Sequence, residues 1–284
     1  MRPILVMTDS TCDLPEEWVR QHDIRIVPTY VQFDQESLAD DGVQLTRGAF
    51  YERLASADEL PTTAAPPPGQ SLEVMAQALA DAEHVIAVCA PAALSGIFNT
   101  FRLAAEQTDP NRVTLIDSQM VSMGLGWQVI EAAEMAGAGA SPADIRQQLI
   151  AMQRRIDVYA ALDTFEYLRR SGRVGWAKAA IGSFLQVKPL IRLHLSEVSS
   201  LARVRTTHRA FDRLVQLACE AAPLNRLAIL HTANLQGAEQ LLDALSDVCP
   251  PDSPCPIVEV TPVIGVHVGP KGLGLGLVRK PEAT

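Results

Sequence analysis

The chain has 284 residues, 48% of them apolar and 20% charged, with 24 basic against 33 acidic side chains and a net charge of -9. That size and balance describe a globular protein of about two domains, and the acidic excess excludes a general attraction to nucleic-acid backbones or anionic lipid, which needs clustered Lys and Arg. The most apolar stretch, 120–140, contains Glu131, Glu134 and several glycines, so no membrane span is expected. The start runs from Met1-Arg2-Pro3 straight into a short apolar segment ending at Asp9, unlike a signal peptide, and the chain reads as cytoplasmic. Five scattered cysteines, none in a CxxC pair, argue against both a disulfide scaffold and structural zinc.

In chain order, residues 4–7, 24–27, 84–89 and 113–116 are short apolar runs that read as strands. Between them, 45–55, 71–82, 95–106 and 122–135 have helical spacing, several with Ser or Thr at the start. This βαβ order predicts a parallel sheet flanked by helices. From 158 onward helix and strand alternate again, with strands at 158–162, 187–193, 198–204, 227–230, 257–260 and 263–268, and helices at 164–170, 176–185, 211–221 and 237–245. Residues 1–157 carry 10 basic and 22 acidic side chains and the remainder 14 and 11, and all four lysines fall in the second part. The expectation is an α/β protein of two domains, 1–157 and 158–284.

Open parallel sheets bind ligands beyond the carboxyl ends of their strands, so the loops there draw attention first. Thr8-Asp9-Ser10-Thr11-Cys12-Asp13 after the first strand is either a capping turn or a polar pocket wall. Thr62 and Thr63, followed by three prolines, form either a rigid hydroxyl-bearing loop suited to an oxyanion or a plain linker. Ser95 and Gly96 stand at the start of a helix, where free amides and the helix dipole favour an anion; Ser95 can cap the helix as well. His267, at the end of the last expected strand before a glycine-rich turn, is either a donor to a carboxylate or a satisfied histidine. Arg169, Arg170, Arg173 and Lys178 gather around one helix end, complementing its dipole or docking an anionic partner.

Taken in order, the segments TDSTCDLP, PTTAAPPPG, ALSGIFN, TLIDSQMVSMGLG, SGRVG and VIGVHVGPKGLG span nearly the whole chain and resemble the DegV family of bacterial fatty-acid-binding proteins. The resemblance implies a carrier with no bond chemistry and no cofactor, whose ligand is a long-chain fatty acid. It implies that the carboxylate lies on Thr62 or Thr63 and Ser95, with Gly96 and His267 nearby, and that the acyl chain is enclosed by the second domain. It further implies a partner, the catalytic subunit of a fatty acid kinase, docked at Arg170 and Arg173, which makes an acyl-phosphate for phospholipid synthesis. Ala64-Ala65 and Ile97-Phe98 depart from the family pattern beside the head group. Two other readings stand beside it. One is a serine hydrolase or acyltransferase with Ser95 as nucleophile, His267 as base and Asp9 or Asp117 as orienter. The other is a nucleotide-binding domain, which the absence of a P-loop disfavours.

Overall fold

The computed structural model describes residues 2–57, 59–172 and 187–281. The chain opens with β1 (Arg2–Asp9), α1 (Glu16–His22) and β2 (Arg25–Val27), then adds β3 (Tyr30–Phe33), β4 (Glu36–Ala39), α2 (Arg47–Ser56) and β5 (Thr62–Ala64). Next come α3 (Pro68–Asp81), β6 (Ala82–Cys89), α4 (Ile97–Gln107), β7 (Val113–Asp117), α5 (Met123–Gly137) and α6 (Pro142–Gln153). β8 (Ile156–Ala161), α7 (Glu166–Arg170), β9 (Lys188–His194), β10 (Glu197–Val204) and α8 (Thr207–Ala221) follow. The last elements are β11 (Leu224–His231), α9 (Leu235–Ala244), β12 (Ile257–Glu259), α10 (Pro262–Val268) and β13 (Leu273–Arg279). No helix among the described residues is long and apolar enough to cross a membrane.

As the βαβ order requires, the first sheet is parallel, with strand order β2-β1-β6-β7. Its two faces separate by alternation along β1: Leu5 and Met7 pack with Met75 and Phe101 of α3 and α4, while Val6 packs with the cluster around α5. The second sheet, β10-β9-β8-β13-β11-β12, is mixed, only β11 and β12 pairing in parallel. α5 lies between the sheets and buries ten of its residues from Met123 to Ala133. Its close approach to the second sheet depends on glycine: a Cβ at Gly276 would stand 2.8 Å from Met123, and the Trp127 indole donates to the Gly276 carbonyl at 2.9 Å.

Three sequence expectations are corrected here. The segment 263–268 is not a strand but the body of α10. Thr261 and Pro262 open it, and proline at the first helical position has its φ already set for a helix. His267 therefore sits in the last turn of a helix. The glycines that read as a turn lie in β13, where Leu273, Leu275 and Leu277 point into the core under α8 and α9, while Gly274 and Gly276 occupy the other face. Thr62 and Thr63 belong to β5, a strand in a small antiparallel sheet, β4-β3-β5, that the sequence patterning did not separate from loop. The expected helix at 176–185 and the partner-docking Arg173 lie outside the described residues.

Candidate functional site

A pocket of about 240 Å³ opens between the two sheets, beyond the ends of β1, β6 and β11. Its apolar wall comes from alternate residues of β8 (Val158, Ala160), from Ile191 and Leu193 of β9, and from one face of α10. Val263, Ile264, His267 and Val268 are spaced three and four apart, the helical repeat, and all four line the pocket, as does Val260 just before the helix. The opposite side of α10 is packed tightly. A Cβ at Gly265 would fall 2.5 Å from Phe50, and Val266 is buried with Phe50 and Tyr51.

Polar groups gather at the C-terminal end of α10. The Thr63 hydroxyl and His267 Nε2 are hydrogen-bonded at 3.2 Å. Ser95 faces the same pocket from the loop before α4, and its hydroxyl oxygen accepts the Ile97 amide at 3.3 Å. Gly96 is the cap residue of α4, and a Cβ there would meet Ala65 at 3.8 Å, so the end of β5 and the start of α4 are neighbours. A hydroxyl, an imidazole and the first amides of an eleven-residue helix thus converge on one end of a largely apolar pocket. Such a set can hold a carboxylate by hydrogen bonds that replace its lost hydration.

The loops that carry these groups are pinned by two carboxylates, Asp9 buried and Asp117 half-buried. Asp9 accepts the Thr11 amide at 3.0 Å, the Thr11 hydroxyl at 2.5 Å and the Ala90 amide at 2.8 Å, tying the loop after β1 to the loop that leads to Ser95. Asp117 accepts the Gln119 amide at 2.8 Å and the Ala92 amide at 3.2 Å, holding the same loop from the other side. Burial pushes the Asp9 carboxyl above its ordinary pKa, opposed by these donors. The N-terminus of α10 is held by two more. Asp13 accepts the Thr261 amide at 2.8 Å and the Ser122 hydroxyl at 2.5 Å, and Asp40 accepts the hydroxyls of Thr261 and Ser10. Burial lifts Asp13 and Asp40 each to about 6, with the Arg47 guanidinium pulling in the opposite direction.

Of the residues expected from the sequence, Thr63, Ser95, Gly96 and His267 line this pocket. Thr62 does not. Successive residues of a strand face opposite sides, and the Thr62 hydroxyl is exposed and hydrogen-bonded to Gln32 Oε1 at 3.2 Å. The TDSTC loop satisfies both of its readings, because Asp9 caps the following turn and Thr11 faces the pocket. The arrangement proposed for a hydrolase is not assembled: Ser95 Oγ meets the Ile97 amide rather than His267, and Asp9 and Asp117 hold backbone amides. Arg170 is exposed at the end of α7, 3.9 Å from Glu166, while Leu168 of the same helix lines the pocket. Four polar lining residues went unread in the sequence: Thr29, Ser122, His231 and Thr232. His231 and Thr232 close β11, and the strand-end logic applied to the first sheet would have found them in the second. Among the described residues no group of three or more His, Cys, Asp or Glu is placed to hold a metal ion.

The chain is similar to known proteins along almost all of its length. A DegV domain-containing protein of Deinococcus radiodurans is 34% identical over 278 residues, covering 96% of this chain and 98% of that protein. Protein DegV of Bacillus subtilis is 31% identical over 281 residues, with the same coverage of each. Among solved structures, a DegV-family protein of Thermus thermophilus described as binding fatty acid superposes with a TM-score of 0.89 at 28% identity, over 99% of this chain and 100% of the other. The structure of DegV from Bacillus subtilis, described as a fatty acid binding protein, gives 0.88 at 29% identity with the same coverage. The family model described as "Uncharacterised protein, DegV family" matches residues 3–280, and the chain belongs to the DegV family.

Proposed function

We propose that this protein binds a long-chain fatty acid in the pocket between its sheets and presents the carboxylate to a partner kinase, which converts it to an acyl-phosphate in the cytoplasm. The observation that carries the reading is the gathering of hydrogen-bonding groups at one end of the pocket, at Thr63, Ser95, Gly96 and His267, against a wall that is mostly apolar elsewhere. In this reading residues 1–157 supply most of the carboxylate donors, and residues 158–284 enclose the tail and add His267. Burying a dozen methylenes at about 0.8 kcal/mol each offers roughly 10 kcal/mol before ordering costs, so the tail sets affinity and the head group sets orientation. The protein itself breaks no bond and uses no cofactor. Kinase docking falls to Arg170 and its neighbours, because α7 joins a pocket-lining residue, Leu168, to an exposed arginine pair at its end.

The test is native mass spectrometry of the purified chain, followed by denaturation and identification of the released molecule. One long-chain fatty acid per chain is the expected result. A chain that neither carries a fatty acid nor takes one up on titration would overturn the reading.

A further inference from the structure

The pocket holds a second set of polar groups, at the other end of α10 from His267. His231 is only 5% exposed and lines the pocket. Its Nδ1 accepts the Asn234 amide at 3.3 Å, so the neutral ring carries its hydrogen on Nε2. Burial, followed by the Arg47 charge, holds the ring's pKa down to about 4, and it is neutral near pH 7. Among the described residues no group accepts from Nε2, and the residue borders the cavity. Thr11 and Ser122 line the same cavity with the opposite polarity. Their hydroxyl hydrogens are both committed, Thr11 to Asp9 and Ser122 to Asp13, each at 2.5 Å, and their remaining oxygen lone pairs are acceptors. A continuous path joins the two sides. Asp13, which accepts Ser122, also accepts the Thr261 amide, and the adjacent Val260 amide donates to the His231 carbonyl at 2.8 Å.

We propose that this station receives a hydroxyl group from the middle of the bound acyl chain, so that the pocket favours mid-chain hydroxy fatty acids over unsubstituted ones. The inference rests on the fatty-acid reading of the site. A hydroxyl can both accept from Nε2–H and donate to a Thr11 or Ser122 oxygen. From Pro262 to His267 α10 advances five residues, about 7–8 Å at helical rise, and Val260 precedes that helix, which places the substituent down the tail from a carboxylate at His267. An unsubstituted methylene there leaves the histidine donor without a partner in an apolar surround. Sites built around a hydrogen bond reject analogues that lack it.

Affinities of delipidated protein for stearate, 10-hydroxystearate and 2-hydroxystearate, measured by calorimetry, test this directly. 10-Hydroxystearate is expected to bind about tenfold more tightly than stearate, equivalent to about 1.4 kcal/mol. The 2-hydroxy isomer, whose hydroxyl adjoins the carboxylate, gains nothing. In His231→Leu the preference for the 10-hydroxy acid disappears. Equal wild-type affinity for stearate and 10-hydroxystearate, or an equal gain for the 2-hydroxy isomer, overturns the inference and leaves the fatty-acid reading standing. A preference that survives in His231→Leu also overturns it, and failure of all three acids to bind overturns both readings.

Discussion

Replacing Asp40 with Asn should make the protein more stable at neutral pH, against the usual expectation for a buried group that accepts two hydrogen bonds. Asp40 is 6% exposed, and burial lifts its carboxyl from 3.8 to about 6. In the unfolded chain the group ionises near 4, so the folded state holds the proton more tightly. The group's contribution to stability is complete below pH 4, is lost as pH rises through 6, and stays lost above. The difference amounts to about 3 kcal/mol at roughly 1.4 kcal/mol per tenfold change in proton affinity. An Asn oxygen can still accept from Thr261 and Ser10, which both donate to Oδ2, and the new amide group would stand at the cleft that Asp40 borders. A net gain of about 1–3 kcal/mol at pH 7 is therefore expected, shrinking toward zero at pH 4. Urea unfolding of both proteins across that range measures it. A variant less stable than wild type at pH 7, or a difference that does not vary with pH, would refute the argument that the ionised carboxylate is held in the fold at a cost.

Two further outcomes follow from the geometry around α10 and α4. Gly269 ends α10 at φ 74° and ψ 175°, and a Cβ there would lie 2.2 Å from the Tyr167 ring, so Gly269→Ala should lower stability by about 2 kcal/mol or more in thermal unfolding; an unchanged melting temperature would contradict the packing described. Ser95→Ala removes the acceptor for the Ile97 amide, at about 1 kcal/mol of stability, and removes one of the carboxylate donors proposed above. Kinase-coupled turnover should fall more than fatty acid retention, and equal loss of both would show that Ser95 does not orient the head group.

The first sheet was legible because its strands are short apolar runs separated by capped amphipathic helices, the arrangement that defines a parallel sheet. Ser95 was readable for a related reason, because helix-start positions have known chemistry, whereas Thr62 and Thr63 stood out together as hydroxyls ahead of three prolines. α10 was not. Pro-Val-Ile-Gly-Val-His-Val is rich in β-branched residues and apolar on every side, because one face meets the pocket and the other meets Phe50, and such a run has no periodicity to separate helix from strand. The choice between Thr62 and Thr63 depended on which face of β5 looks inward, a fact of tertiary pairing with β3. His231 ends β11, a position that strand-end logic singles out, but a lone histidine there does not say what its ring does. Its significance comes from Asn234 fixing one ring nitrogen and from the pocket lying against the ring.

Gly272 and Gly274 form bare backbone on the pocket side of β13, and a side chain at either would do more than narrow the cavity. A Cβ at Gly274 would stand 2.6 Å from the Tyr159 carbonyl, and one at Gly272 would stand 2.9 Å from the Thr232 hydroxyl that accepts the Gly272 amide. Mutations that would shrink the ligand space at these positions therefore also disturb the pairing of a central strand. A change of cavity size that leaves the fold intact is therefore open at α10 and β9, whose pocket-lining side chains can change size without bringing a Cβ against neighbouring backbone.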